Sequence, residues 1–452
     1  MRLLVVGDGK VGHMLAEQLA SENHDVVIVD KSDAALRKSQ NTLDVMTLQG
    51  NGANAKTLLE AEVGKADILI AATAGDETNM LCSLIGKRLG AKYTIARIRD
   101  PEFHESLSIL QTELDIDMAV NPERATALEI SRLIRLPPAI NIESFAHDRV
   151  EMVQFRVRQT DPIVGQPLHM LTPNAKTPIL YAAIERESDV IIPNGDTVIH
   201  VDDKLYVTGE HSSMTAYFKY LGRESVRIKN ILIMGGGRIA YYLAKALEPL
   251  GVSISIIEID PKKAVELSVQ LPEVNIILGD ASDRELLDQE GLDTADAFIA
   301  LGDRDEENLL AGLHASAAGV EKVIVKNNRV TDPAVISRLG LDSIVSPKAI
   351  VCDAILRYVR AHEAGIGTAV EKVYRLLDDK AEALEFIANP GEKYIGIPLK
   401  RLAIRGPALI VCIVRSGHII IPFGDDYIEA GDNVIVVTAR HGISDLNEVL
   451  RA

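Results

Sequence analysis

Tryptophan is absent from the 452-residue chain, and all aromatics together make up only 4% of it. Cores with so few rings must be built from Val, Ile, Leu and Ala, the mixture favoured by buried parallel strands with covering helices, so the composition leans to α/β. Cysteine is scarce too. Cys82, Cys352 and Cys412 lie far apart, which excludes a paired disulfide framework and a C-x-x-C metal site and leaves reduced core thiols as the expectation. No apolar run reaches the roughly 18–20 residues a membrane-spanning helix needs. The opening MRLLVVGDGK enters a strand and a glycine turn where a cleavable signal would stand, so a soluble, non-exported protein is expected. Positive charge is in deficit: 48 Lys and Arg face 65 Asp and Glu, a net charge of -17. Such a surface repels phosphate backbones and anionic headgroups, which argues against nucleic-acid binding and lipid insertion.

What is present is ample core material, 47% hydrophobic residues, and a length that predicts about two to four domains. Residues 2–30 read as an apolar run, a glycine-rich turn, a helix-period stretch and a second apolar run ending in Asp30, the pattern of a βαβ unit. Residues 230–258 repeat the plan 228 positions later, Gly235 matching Gly7, Gly237 matching Gly9 and Glu258 matching Asp30. The match continues through Gly50-Asn51 with Gly279-Asp280, Asp76-Glu77 and Asn79 with Asp305-Glu306 and Asn308, and Asn121-Pro122 with Ser346-Pro347. The chain is therefore read as an internal duplication. Each half closes with a Val- and Ile-rich segment broken by Gly and Pro turns; within these, Ile192–Thr208 and Ile421–Val437 agree at seven of seventeen positions. Two nucleotide-type domains alternate with two small β-rich domains. The expected limits are 1–137, 138–222, 223–365 and 366–452, with Pro137-Pro138 ending the first helix region and 218–230 linking the halves.

The chemistry is that of anion and nucleotide binding. Gly7-x-Gly9-x-x-Gly12 follows a strand and opens a helix: Gly7 permits the tight turn, Gly9 lets a pyrophosphate approach the backbone, and Gly12 allows close helix–sheet packing. Asp30, at the end of the second strand, is placed to accept from ribose hydroxyls and disfavours a 2′-phosphate. Asp8, within the loop beside Lys10 and Val11, opposes a pyrophosphate unless its side chain turns to solvent or Lys10 offsets it. In the second half, Gly235, Gly237, Arg238 and Ala240 form the corresponding loop, and Glu258 replaces Asp30 with a longer arm; this loop is read either as a second nucleotide site or as a decayed one that persists as scaffold. Asn51 and Asp280 follow the third strands, where an adenine would lie; a simple turn is the alternative. Thr73 and Asp76 precede a helix: an N-cap role accounts for both, while their loop also lies at the carboxyl end of a strand, where ligands bind, so Thr73 is a candidate cofactor contact as well. Arg97 and Arg99 close the fifth strand on the ligand side and offer forked donors to phosphates, or ordinary surface ion pairs. Asp202-Asp203 and Asp425-Asp426 read as solvated turn residues. No metal spacing and no nucleophile elbow occurs.

Taken together, Val5-Val6-Gly7-Asp8-Gly9-Lys10-Val11-Gly12, Val29-Asp30, Asp76-Glu77-Thr78-Asn79-Met80 and Ile95-Ala96-Arg97-Ile98-Arg99 resemble the TrkA-type potassium-uptake regulators, built from tandem RCK units. The resemblance covers almost the whole chain. It implies two Rossmann-like RCK N-domains, each followed by a small β-rich TrkA-C domain of α+β class. It also implies a non-catalytic cytoplasmic subunit, a homo-oligomeric ring of dimers or tetramers, peripheral beneath an integral-membrane potassium transporter or channel. Family members bind NAD(H) and adenine nucleotides such as ATP and ADP, so Gly7, Gly9, Gly12 and Asp30 map to phosphate and ribose contacts. The helices after Pro122 and Pro347 resemble RCK crossover helices, implying a pseudo-two-fold within one chain. An NAD-dependent oxidoreductase and a cytosolic nucleotide sensor with another client are the competing readings.

Overall fold

The computed structural model describes residues 1–145, 150–171, 178–187, 189–223, 228–328, 341, 343–364, 370–376, 380–440, 443 and 445–451. The expected domain limit at 365/366 and part of the 218–230 linker lie outside these residues.

The first half opens with six parallel strands: β1 (Arg2–Val6), β2 (Asp25–Asp30), β3 (Met46–Gln49), β4 (Ile68–Ala71), β5 (Tyr93–Arg97) and β6 (Met118–Val120). Their spatial order is β3-β2-β1-β4-β5-β6. Runs such as Leu3-Leu4-Val5-Val6 and Ile68-Leu69-Ile70-Ala71 are buried on both faces, as a helix-covered parallel sheet requires. Strand order reverses between β1 and β4, which pair through Val6 and Ala71. Loops at that switch point diverge at the carboxyl ends of the strands and open a crevice.

A five-stranded antiparallel sheet follows, from β7 (Asn141–Phe145), β8 (Val150–Arg156), β9 (Ile179–Arg186), β10 (Asp189–Ile191) and β11 (Lys204–Gly209). The plan then repeats. Strands β12 (Asn230–Met234), β13 (Ser253–Glu258), β14 (Asn275–Leu278), β15 (Ala297–Ala300), β16 (Lys322–Lys326) and β17 (Ser343–Val345) form a sheet of order β14-β13-β12-β15-β16-β17. Strands β18 (Val370–Leu376), β19 (Ala381–Ile387), β20 (Ala403–Ile404), β21 (Ala408–Arg415), β22 (His418–Ile420), β23 (Asn433–Thr438) and β24 (Leu450–Arg451) make the last unit, β20 pairing only with β24.

The halves interlock by exchanging helices. Helix Pro122–Arg135 leaves the first sheet, and its Ala127, Ile130, Leu133 and Ile134 share a core with Ile239, Leu243 and Leu247 of the second half. Reciprocally, Val351, Cys352, Ile355, Leu356 and Val359 of helix Pro347–Ala364 pack with Val11, Leu15 and Leu19 of the first half. Both helices carry apolar residues at the i, i+3, i+4, i+7 spacing that makes one stripe. Each fully buried aliphatic side chain contributes ~1.5–3 kcal/mol, so both stripes help hold the halves together. The antiparallel sheets add a second layer of contact, Phe145, Met152 and Tyr206 sharing a core with Val411, Val414 and Val437. One chain is thus a pseudo-symmetric pair in both layers. All three cysteines are buried and unpaired, and burial raises each thiol to about 12.

Candidate functional site

The glycine loop between β1 and helix Lys10–Ser21 is shaped by three different demands. Gly7 sits at φ +105°, a conformation that L side chains rarely adopt, and a Cβ there would also meet the backbone of Thr73. A Cβ on Gly12 would stand 1.8 Å from the Gly7 carbonyl oxygen. Gly9 is different: nothing lies within 4 Å of its Cβ position, so the loop there faces open space. That space is a cleft of about 650 Å³, within the range of small-molecule sites. Gly7, Gly9, Lys10, Val11, Asp30, Asn51, Thr73 and Arg97, all singled out from sequence, line it.

Asp8 does not turn to solvent as expected. Its side chain is buried, accepts from Ser39 Oγ at 2.7 Å and lies 3.6 Å from His13 Nδ1. Burial raises its pKa, partly opposed by Ser39 and His13. The carboxylate thus points behind the loop, removing the repulsion that a pyrophosphate would otherwise meet. The Asp8 amide donates to Asp30 Oδ2 at 2.6 Å and the Ser32 amide to Asp30 Oδ1 at 2.7 Å. Asp30 therefore braces the loop and still borders the cleft.

The two arginines part company. Arg97 reaches the cleft, and burial, with Arg99's charge second, lowers its pKa. Its nearest carboxylate, Glu123, is 4.0 Å away. Arg97 Nε and Glu123 Oε2 are buried without a hydrogen-bond partner among the described residues, a state that buried polar groups seldom keep. Arg99 is turned aside: its Nε donates to Asp76 Oδ1 at 3.2 Å and it contacts the Ala74 carbonyl. Asp76 also accepts the Arg99 and Asp100 amides, both at 2.8 Å, while Thr73 Oγ1 donates to Asn79 Oδ1 at 2.7 Å. Neither Thr73 nor Asp76 caps the helix, whose N-cap is Gly75 without a side-chain bond. Asp76 instead takes backbone amides of the loop after β5, because a buried carboxylate needs donors, and Thr73 is tied to the Asn79 side chain.

Two cations of the cleft, Lys326 and Lys348, come from the opposite half and carry no local signal in the first half's motifs; Glu123, a first-half residue at the start of helix Pro122–Arg135, also lines it. Lys31, next to Asp30, was overlooked although adjacent. The alignment of Arg97 with Lys326 was the available signal, but which half's cleft it faces depends on the helix exchange.

The second half builds a similar loop with a different outcome. Gly235 has φ +95° and the Cβ position of Gly237 is open, while Ala240 is fully buried at the Gly12 position. Glu258 is also buried: its Oε2 accepts the Gly236 amide at 2.7 Å and its Oε1 the Asp260 amide at 2.8 Å. The expected longer arm thus reaches loop backbone and borders neither cleft described here. Asp280 lies exposed, accepting the Ser282 amide. Gly237 and Arg238 line a separate cleft of about 600 Å³ with Lys263, Glu266, Asp303 and Lys326. The first half adds Asp100, Glu102 and Glu123 to that cleft, and Asp100 Oδ2 is 3.3 Å from the Arg238 guanidinium.

One correction concerns the β-rich units. Asp203 is no solvated turn residue: it is buried and takes two hydrogen bonds from Arg186, both at 2.8 Å. Its duplicate, Asp432, is held the same way by Arg415, at 3.0 and 2.8 Å. Asp202 and Asp425 remain exposed. No cluster of metal-ligating residues occurs among the described residues.

Comparison with known proteins agrees with this architecture. The TrkA-N domain model matches residues 3–122 and 231–347, and the TrkA-C domain model residues 152–222 and 383–451. A Trk system potassium uptake protein TrkA of Vibrio alginolyticus is 32% identical over 461 residues, covering 100% of this chain and 99% of the relative. The TrkA homolog 2 of Methanosarcina mazei is 30% identical over 459 residues, with both chains fully covered. Among solved structures, the GsuK RCK domain superposes with a TM-score of 0.64 at 18% identity, covering 96% of this chain and 92% of that one. The GsuK channel bound to NAD gives 0.63 at 19% identity, covering 97% and 76%.

Proposed function

This chain belongs to the TrkA family, and from that premise we propose that it is a nucleotide-binding regulatory subunit that gates a membrane potassium transporter or channel without catalysing a reaction. The observation carrying this reading is that the first cleft is walled by both halves: Lys326 and Lys348 of the second half line it together with the glycine loop of the first. A ligand there touches both halves, so its affinity depends on their relative placement. By linkage it shifts that placement in return, typically by about 1–3 kcal/mol.

NAD(H) or an adenine nucleotide fits the donor set. The amides of helix Lys10–Ser21 and Lys10 would hold phosphates, Asp30 a ribose, and Arg97 a further phosphate. No described helix is long and apolar enough to cross a membrane. The net charge of -17 repels anionic headgroups, and attachment on the cytoplasmic face runs through the transporter subunit. Exposed Leu81 and Leu310, at equivalent points of helices Asp76–Arg88 and Asp305–Ala317, suit assembly into a homo-oligomeric ring. Unit limits near residues 137, 222 and 365 go with this reading.

The test is potassium flux through the partner in reconstituted vesicles with NADH, NAD, ATP or ADP, and Asp30→Ala as control. Nucleotide-dependent flux lost in Asp30→Ala is expected. Flux indifferent to every nucleotide overturns the proposal.

A further inference from the structure

The two clefts stand at equivalent places in the two halves, yet each takes its outer wall from the opposite half, and those walls differ in charge. The second half lines the first cleft with Lys348, whose Nζ donates to the Asn328 carbonyl, and with Lys326, which borders both clefts and donates to the Leu301 carbonyl; the first half lines the second cleft with Asp100, Glu102 and Glu123. Glu123 and Lys348 are pseudo-equivalent, each following the proline that opens an exchanged helix. Residues native to each half push the same way. Lys31 lines the first cleft where its counterpart is the apolar, exposed Ile259, and Ala74 of the first cleft is matched by Asp303 in the second.

The first cleft therefore presents five cations (Lys10, Lys31, Arg97, Lys326 and Lys348) against Asp30 and Glu123. The second presents Arg238, Lys263 and Lys326 against five carboxylates: Asp100, Glu102, Glu123, Glu266 and Asp303. Glu123 stands on the partition. On the first side Arg97 lies 4.0 Å from it; on the second, further acids surround it. Like charges gathered in a half-buried cleft repel an incoming polyanion much more strongly than they would in bulk water.

We propose that Lys348 and Glu123 are specificity determinants that make the chain asymmetric: it takes one nucleoside triphosphate, in the first cleft, while the second cleft rejects triphosphates and admits only adenine nucleotides of low net charge. This rests on the nucleotide reading above and goes beyond it in assigning different ligands to the duplicated sites.

The experiment is calorimetric titration of the full chain with ATP in EDTA, and in parallel with NAD, circular dichroism checking the fold of each variant. Wild type is expected to bind one ATP per chain. Lys348→Glu weakens that event by on the order of tenfold or more, with a smaller effect on NAD. Glu123→Lys raises the stoichiometry to two ATP per chain. Glu123→Gln, which keeps the side-chain shape, yields a weaker second event and serves if Glu123→Lys fails to fold. Two equivalent ATP sites in wild type, or a single site indifferent to Lys348→Glu and to both Glu123 variants, overturn the asymmetry while leaving nucleotide binding intact. A wild-type chain that binds neither ATP nor NAD overturns both readings.

Discussion

The two glycine loops of this chain began as copies, and they now show how one scaffold separates structural from ligand-facing duties. In the first, Asp30 divides its oxygens between the Asp8 and Ser32 amides and remains at the edge of the cleft. In the second, Glu258 makes the analogous pair of bonds to Gly236 and Asp260 from a buried position, out of the described clefts. Both acids brace their loops; only the shorter one also borders a cleft. The loops are further distinguished by Gly12, fully compressed against Gly7, and Ala240, which occupies the same place with a side chain.

The largest test of that comparison is at the third loop position. Gly12→Val should cost about 3 kcal/mol or more, because its Cβ falls 1.8 Å from a backbone oxygen that cannot move freely. Ala240→Gly should cost only about 1 kcal/mol, the helix-propensity difference. Denaturant unfolding of the two variants measures both; equal losses would show that the loops are packed alike. Next come the acids. Glu258→Ala leaves two loop amides without acceptors and should destabilise by about 2–3 kcal/mol with nucleotide affinity unchanged in the first cleft. Asp30→Ala should cost about 1–2 kcal/mol and also lower that affinity at least tenfold. Thermal shift with and without nucleotide separates the two outcomes.

A smaller effect concerns the junction that joins the halves. Glu129, on helix Pro122–Arg135, is raised to about 8, first by burial and then by Glu143 and Asp353, with Arg132 and Arg357 opposing. Glu143 is raised too, again first by burial. A carboxyl whose folded pKa exceeds its unfolded value stabilises fully below the unfolded value and loses that contribution as pH rises through the folded one. Stability should therefore decline between about pH 4.5 and 8 through this pair. Glu129→Gln should raise Tm by about 2–4 °C at pH 8 relative to wild type and by much less at pH 5; an equal change at both pH values would contradict it. The smallest expected effect on the fold is that of Gly9→Ala. Its Cβ meets nothing, so stability should stay within about 0.5 kcal/mol, while nucleotide titration should show weakened binding because the methyl occupies the ligand's approach.

Much of the first cleft was legible in the chain. Gly7, Gly9, Lys10, Val11, Asp30, Asn51, Thr73 and Arg97 were named from spacing, and all line it. These residues lie within one repeated βαβ frame, where local periodicity dictates position. The side chains that went elsewhere failed for a shared reason. Asp8 found Ser39 and His13, Arg99 found Asp76, and Asp203 found Arg186. A buried charge takes the partner that tertiary packing offers, and spacing does not reveal that partner.

Duplication, the pairing of an α/β nucleotide-type domain with a β-rich one in each half, and the places of the glycine turns were legible in the residues alone. Those features follow from hydrophobic period and backbone sterics, which act over a few residues. That Lys348 lines the first cleft, that Asp100 and Glu102 line the second and that Lys326 borders both follows only from how the halves pack. Those neighbours are more than a hundred residues away in sequence, brought in by two exchanged helices whose apolar stripes record that they are buried but not against which half.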